Sequence, residues 1–365
     1  MDERSYWIAF SVFPGIGPVR FKLLNEYFGS AKNAWEAKTK EWEQLNLPPR
    51  LLREFLHFRR TFSIPAYITK LREGHVSVLT LSDKKYPKLL KEISDAPFVL
   101  YVKSTRGSEK IDMERTIAVV GTRKASPYGI TATEKIVTDL TLSGIVIVSG
   151  MAYGIDAAAH HAAISAGGKT IAVLGCGVDI IAPSVNADIY KKLTEEGYGA
   201  VISEMPLGLR PSKGLFPSRN RIISGLSRGV VVVEGASDSG ALITARYAAE
   251  QGRDVFAVPG PITSSGSQAS SLLLRQGAIL TENADDVVSQ LGIAKSGKPS
   301  HNTKRVEWQS KDEEKVGDAL SRGPLHIDEL VAATGLTINT ISSTLTLLEV
   351  KGIVKDTGGK VYQLL

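Results

Sequence analysis

Residues 117–120 read IAVV, 145–148 IVIV, 170–174 TIAVL, 200–202 AVI, 230–233 VVVV and 255–258 VFAV, with longer, helix-compatible segments between them. Apolar runs this short and this rich in Val and Ile fit strands buried on both faces. Their alternation with helical segments predicts right-handed crossovers and a parallel sheet. The stretch 117–282 therefore predicts an α/β domain of the Rossmann kind. Each run is followed by small, hydroxyl-bearing or charged residues: GTRKASPYG at 121–129, SGMAYGIDAAAHH at 149–161, GCGVD at 175–179, EGASDSGALITA at 234–245 and PGPITSSGSQ at 259–268. Loops beyond the carboxyl ends of parallel strands are where such folds bind ligands, so this chemistry converges on one edge of the sheet.

Outward from this core, the 365 residues leave room for two or three domains. The composition, 43% hydrophobic and 22% charged, is that of an ordinary soluble protein. No run approaches the roughly 20 apolar residues that span a bilayer, and the opening MDERSYWIAF lacks a signal peptide's pattern, so no membrane insertion is expected. A single cysteine, Cys176, excludes an internal disulfide and fits a reducing compartment; a cytoplasmic protein is the expectation. The net charge is +6, and the first 115 residues hold 20 Lys and Arg against 14 Asp and Glu. That balance permits nucleic-acid binding without requiring it.

Residues 1–60 read as a small helical domain. An apolar helix, a turn at Pro14-Gly15-Ile16-Gly17 and an amphipathic helix carrying Phe21, Leu24 and Phe28 have the form of a helix-hairpin-helix, with Arg20 and Lys22 beside the turn. The same glycines equally serve a plain packing turn. Residues 61–291 form an extended central domain (core 117–282) that starts with two strands, 76–80 and 98–103, and a lysine run at Lys84, Lys85, Lys88 and Lys91. Residues 292–312 are polar and rich in Gly, Pro and Ser, the composition of a linker. In 313–365, helical patterns at 314–320, 326–333 and 338–350 precede two strands joined by a glycine-rich turn at 356–360, which predicts a winged helix. Its third helix, TINTISSTLTLL at 337–348, has no Lys or Arg, and residues 301–365 hold eight basic against nine acidic residues. A groove-reading helix without cations lacks the phosphate contacts on which affinity rests, so protein contact or accessory binding is expected there.

Arg123 and Lys124 follow the first core strand, where a glycine admits a ligand and a guanidinium can fork onto phosphate. Ser149 and Gly150 open the next loop. Asp156 and His160, four apart on the following helix, are expected to pair with one another; they are too few for a zinc site. Lys213, Phe216, Arg219 and Arg221 form the densest recognition set, with cations for consecutive phosphates and a ring for stacking. A buried pairing of either arginine with Glu204 or Glu234 is the competing expectation. Ser239 and Thr244 line the loop and helix start after 230–233. Gly175-Cys176-Gly177 gives only a weak dinucleotide signal, and neither cofactor nor metal is expected.

Taken as an ordered set, GTRKASPYG, SGMAYGIDAAAH, TIAVLGCGVD, FPSRNRIISGLSRGVVVVEGASDSGALITA and GRDVFAVPG closely resemble the DprA/Smf DNA-processing family. The resemblance implies a Rossmann-like domain that binds single-stranded DNA and hands it to RecA during natural transformation, a homodimer through that domain, a helical N-terminal domain of the SAM or helix-hairpin-helix type and a C-terminal winged helix. It also implies a DNA-binding arginine at the position of Arg123. Where the family has a Tyr-Pro and often a basic residue after the GCG motif, this sequence has Ile181-Ala182-Pro183-Ser184-Val185-Asn186. The rival reading is a Rossmann-fold nucleotide-binding hydrolase, whose acid or base would come from Glu204, Asp156 or Glu234; a third is a structural module with inert loops.

Overall fold

The computed structural model describes residues 1–105, 111–212, 214–293, 308–320, 323–356 and 358–364. Lys213, the side chain of Phe216 and positions 294–307 of the expected linker lie outside the described residues. Two compact units result, one reaching residue 297 and one from 298 onward.

The first unit begins with helices α1 (Glu3–Val12), α2 (Pro18–Phe28), α3 (Ala31–Glu36), α4 (Thr39–Glu43), α5 (Pro49–Thr61) and α6 (Ile64–Glu73). Their interior is aromatic: Phe10 stacks on Phe55 with ring centroids 5.5 Å apart, and Trp42 lies 4.5 Å from Phe55. This core continues into the sheet, where Phe21 stacks on Phe98 at 4.0 Å and the cluster includes Tyr101, Leu174, Val178 and Leu193. Gly15 takes a positive φ of 100° at the turn, and Arg20 donates from Nη1 to the Gly15 carbonyl at 2.6 Å. That guanidinium therefore closes the turn on itself.

The sheet comprises β1 (Val76–Thr80), β2 (Val99–Lys103), β3 (Thr116–Val120), β4 (Val146–Ser149), β5 (Thr170–Val173), β6 (Gly199–Ser203), β7 (Gly229–Val232), β8 (Asp254–Ala257) and β9 (Ile279–Leu280). Between them run α7 (Lys88–Lys91), α8 (Pro127–Leu142), α9 (Ile155–Ser165), α10 (Ala187–Thr194), α11 (Leu215–Gly225), α12 (Gly240–Glu250), α13 (Gln268–Arg275) and, after β9, α14 (Ala284–Gln290). All six expected core strands are present within a residue or so of their expected bounds, and β3 to β7 are buried at every position. The two-residue β9 was too short to register as a periodic run.

Strand order is β1-β2-β6-β5-β4-β3-β7-β8-β9. From β6 to β9 every neighbour is parallel; β1 and β2 add an antiparallel edge beside β6. The chain leaves β3 toward β4, β5 and β6, then returns to set β7 against β3, with Ala118 facing Val230. A doubly wound sheet opens a crevice at such a reversal, beyond the carboxyl ends of β3 and β7.

The second unit holds α15 (Lys311–Leu320), β10 (Leu325–His326), α16 (Ile327–Thr334), α17 (Ile338–Val350), β11 (Val354–Asp356) and β12 (Val361–Leu364), with strand order β10-β12-β11. Three helices over a small antiparallel sheet are a winged helix, as the sequence predicted; β10 adds a strand that the pattern missed. No single described helix is long and apolar enough to cross a membrane.

Candidate functional site: a cleft at the strand-order reversal

A cleft of about 550 Å³ opens where the reversal places it. Gly121, Thr122 and Arg123 after β3 form one wall, Ala236 to Thr244 around the start of α12 form the other, and Ala152, Asp156, Pro217, Arg219 and Asn220 complete the floor and far side. The α12 start is capped by Ser239, whose side chain accepts from the Ala241 N–H at 3.3 Å, and Ser239, Gly240 and Ala241 all line the cleft.

Glu234 ties the loops together. Its carbonyl accepts from the Thr122 N–H at 2.7 Å, and its buried carboxylate accepts from the Ser126 N–H at 2.9 Å. Glycine is required at 129 and 266, because a Cβ at either position would run into this carboxylate. Sequence offered Glu234 as an arginine partner or an acid-base group; the structure uses it instead to hold the two sides of the crevice.

Arg219 lies almost wholly buried beneath the cleft. Its Nη1 donates to the carbonyls of Gly150, at 2.7 Å, and Val173, and its Nε donates to Asn220 Oδ1 at 3.2 Å. A Cβ on Gly150 would lie 2.5 Å from the guanidinium, so only glycine fits there. Burial pulls the Arg219 pKa below its ordinary value, with Asp156 acting in the opposite sense and Arg123 in the same one; a guanidinium so placed remains a cation. Burial likewise pushes the Asp156 carboxyl up, opposed by Arg219 and by hydrogen bonds from the Ala152 and Gly150 N–H groups.

The expected Asp156–His160 pair does not form. Asp156 accepts from Gly150 and Ala152 N–H, while His160 Nδ1 shares a 2.7 Å hydrogen bond with Thr170 Oγ1. The reason is directional: side chains on a helix lean toward its N-terminus, so Asp156 in the first turn reaches back to the preceding loop and away from His160.

Arg221 is turned from the cleft. Its Nη2 meets Glu204 at 2.6 Å and its Nε meets Asp95 at 3.1 Å, all but out of solvent. Both lie within α11, which starts at Leu215, and residues two apart on a helix are rotated by roughly 200°. The two arginines consequently serve opposite faces, and the competing expectation of a buried Glu204 pair is met by Arg221. Arg219, by contrast, pairs with neither Glu204 nor Glu234. Arg123, Arg219, Ser239 and Thr244 thus line one cleft; Gly150 supports its floor; Ser149, bonded to the Val119 carbonyl at 2.7 Å, is buried beneath it; and Lys124 is exposed outside the lining. Asn220 and Asp238 line it too and went unnoticed, because an isolated Asn or Asp in a polar loop carries no sequence signal of its own.

Fold and cleft define a doubly wound α/β protein, with a crevice at the strand-order reversal, that also carries a winged helix. Residues 77–292 match the family model for DNA recombination-mediator protein A, and residues 303–360 match that for the DprA winged helix domain. The chain belongs to the DprA/Smf family of DNA-processing proteins. It is 32% identical to Protein Smf of Synechocystis sp. over 99% of both chains, and 40% identical to the DNA processing protein DprA of Bacillus subtilis over 62% of this chain and 75% of that one. The DprA structure from Streptococcus pneumoniae superposes with a TM-score of 0.67 at 34% identity, covering 80% of this chain and 98% of the other. DNA processing protein A from Helicobacter pylori, described for its single-stranded DNA binding mode, superposes at 0.52 with 28% identity over 60% of this chain and 97% of the other.

Proposed function

We propose that this chain is a non-enzymatic recombination mediator: it holds single-stranded DNA at the cleft between the β3 and β7 loops and delivers it to RecA during natural transformation, in the cytoplasm and as a homodimer through the Rossmann-like domain. The observation that carries the reading is the convergence of Arg123 and Arg219 with the capped start of α12, Ser239 and Thr244 on one crevice at the strand-order reversal. A cation at the rim, a second beneath the floor and a helix start suit backbone phosphates, which carry no base code. Arg123, exposed on the lining, is the direct phosphate ligand in this reading; Arg219 supplies charge from below and holds the floor. Lys124, exposed just beyond the lining, is proposed as a further phosphate contact; Lys213 and Phe216 keep the roles their residue types suggest, a cation and a stacking ring. The H. pylori relative, with its single-stranded DNA binding mode, supports the polymer class.

The hydrolase reading draws less support. Of its three carboxylates, Glu204 is committed to Arg221 and Glu234 to the Ser126 amide; Asp156 lines the cleft but is held by two backbone N–H groups and set against Arg219. Anisotropy with a single strand and a blunt duplex of equal length tests the binding claim: the single strand should bind more tightly, with affinity falling steeply as salt rises, and equal affinities would refute it. Faster RecA nucleation on DNA in the presence of the protein tests delivery, and sedimentation tests the dimer.

A further inference from the structure

Exposed apolar side chains of the central sheet gather along its carboxyl edge. Taken in the spatial order β6, β5, β4, β3, β7, β8, the loop or first helical turn after each strand presents at least one: Leu209, Ile181 with Val185, Tyr153, Tyr128, Ile243 and Ile262. Ile262 is 99% exposed and Tyr153 51%, and large apolar groups in solvent cost free energy unless something covers them. Tyr153 is the best defined of these. It stands in the β4–α9 loop between Met151, buried at a φ of 56°, and Gly154, at a φ of 73°. Gly154 packs so closely on the Thr122 and Arg123 backbone that no Cβ fits, and the Ile155 N–H donates to the Thr122 carbonyl at 3.2 Å. The backbone that carries Tyr153 is thereby held against the Thr122–Arg123 backbone, and among the described residues no hydrogen bond engages its hydroxyl.

We propose that this line is a base-contact track running across the strand ends, with Tyr153 as its stacking platform, on which the bases of a single strand lie while its phosphates face Arg123 and the cleft. The inference rests on the single-strand reading given above and adds which residues meet the bases. Charge complementarity selects the occupant: apolar side chains spread across the strand ends beside a cation-bearing crevice match a polymer with apolar ring faces on one side and anions on the other. Six strands at about 4.8 Å spacing make the line roughly 24 Å long, room for about seven nucleotides at a stacked rise of roughly 3.4 Å.

The test compares an ordinary oligonucleotide with an abasic one of the same length, which keeps the phosphates and lacks the rings. Wild type should bind the ordinary strand more tightly. Tyr153→Ala should weaken that binding between about fivefold and about a hundredfold, the range for losing one stacking ring, and leave abasic binding unchanged, while Tyr153→Phe retains wild-type affinity for both. Because Tyr153 is half exposed, thermal melting of the alanine variant should match wild type; Ile262→Ala, fully exposed, gives an independent and smaller loss on the ordinary strand. Unchanged affinity of Tyr153→Ala for the ordinary strand, or equal loss on both polymers, overturns the track while leaving the cleft reading in place. Failure of wild type to bind either polymer removes both.

Discussion

The carboxyl edge of the sheet and the winged helix are built on opposite principles. Around the cleft the chain buries Ser149, Asp156, His160, Arg219 and Glu234, each polar and held by hydrogen bonds or opposite charge, together with Thr244. The winged helix buries Val316, Leu320, Leu330, Ile341, Leu345 and Leu348 in an ordinary apolar core; among its described residues the one buried charge, Glu313, is paired with Lys351 at 2.7 Å. Its α17 shows solvent Asn339, Ser342, Ser343, Thr346 and Leu347 and no cation. Buried polar groups cost desolvation free energy that an apolar core avoids, so the loops at this edge are held by contacts whose cost the winged-helix core largely escapes.

The sharpest way to break this contrast is Arg219→Ala. Removing it leaves Asp156 buried without its cation and frees the Gly150 and Val173 carbonyls. The first unit should lose about 3–5 kcal/mol, and its melting temperature should drop by on the order of 10 °C. Arg219→Lys should not restore it, since an ammonium lacks the planar fork. A variant that melts within about 2 °C of wild type would remove Arg219 from the framework.

The next effect is titration of His160. Burial holds its pKa down at about 3 against an ordinary 6.5, so the folded protein binds fewer protons than the unfolded chain between those values. Stability is therefore full above pH 6.5 and falls as pH drops toward 3, by about 1.4 kcal/mol per pH unit, or about 2 kcal/mol by pH 5. Asp156 and Glu204, raised by burial, act in the opposite direction in the acid range, so the informative quantity is the difference between wild type and His160→Gln over pH 5 to 6.5. Parallel profiles would show that His160 accepts its proton without cost.

Arg123→Ala probes the ligand side of the same edge. The variant should melt like wild type, bind single strands about tenfold more weakly whatever their sequence, and show a salt slope smaller by about 0.7, one phosphate's share. Full affinity with an unchanged slope would take Arg123 out of the site. Smallest is the effect of deleting residues 301–365: affinity of the remaining chain for single strands should change by less than about threefold. A loss beyond tenfold, about 1.4 kcal/mol, would mean that the winged helix holds DNA despite its cation-free third helix.

Legibility in the sequence followed the physics of each element. The six core strands were legible because burial on both faces enforces unbroken Val and Ile runs, and the winged helix because three amphipathic periods and a glycine turn have few other solutions. Arg123 could be located since its place depends only on where β3 ends. Arg219 and Arg221 could not be assigned, because their directions depend on the starting residue of α11, and helix boundaries are weakly encoded. The Asp156 contacts were hidden for a related reason: spacing states which residues share a helix face but not which way a first-turn carboxylate leans. Glu234 as the brace between β3 and β7 requires knowing that these strands are neighbours, a fact of topology that no local pattern contains.

The aromatic core that the N-terminal helices share with the sheet has a consequence for synthesis on the ribosome. Helices α1 to α6 emerge first, but the residues that complete their core, among them Phe98, Tyr101, Leu174, Val178 and Leu193, follow up to about 130 positions after α5 ends. Phe10, Trp42 and Phe55 find their ring partners within the helical segment itself, but Phe21 needs Phe98, and the sheet residues of the shared core arrive up to on the order of ten seconds later at roughly 5–20 residues per second. Over that interval the face of the helical segment that carries Phe21 stays without its sheet partners, which makes it the surface a holding chaperone would grip and the one that slower translation would leave exposed for longer.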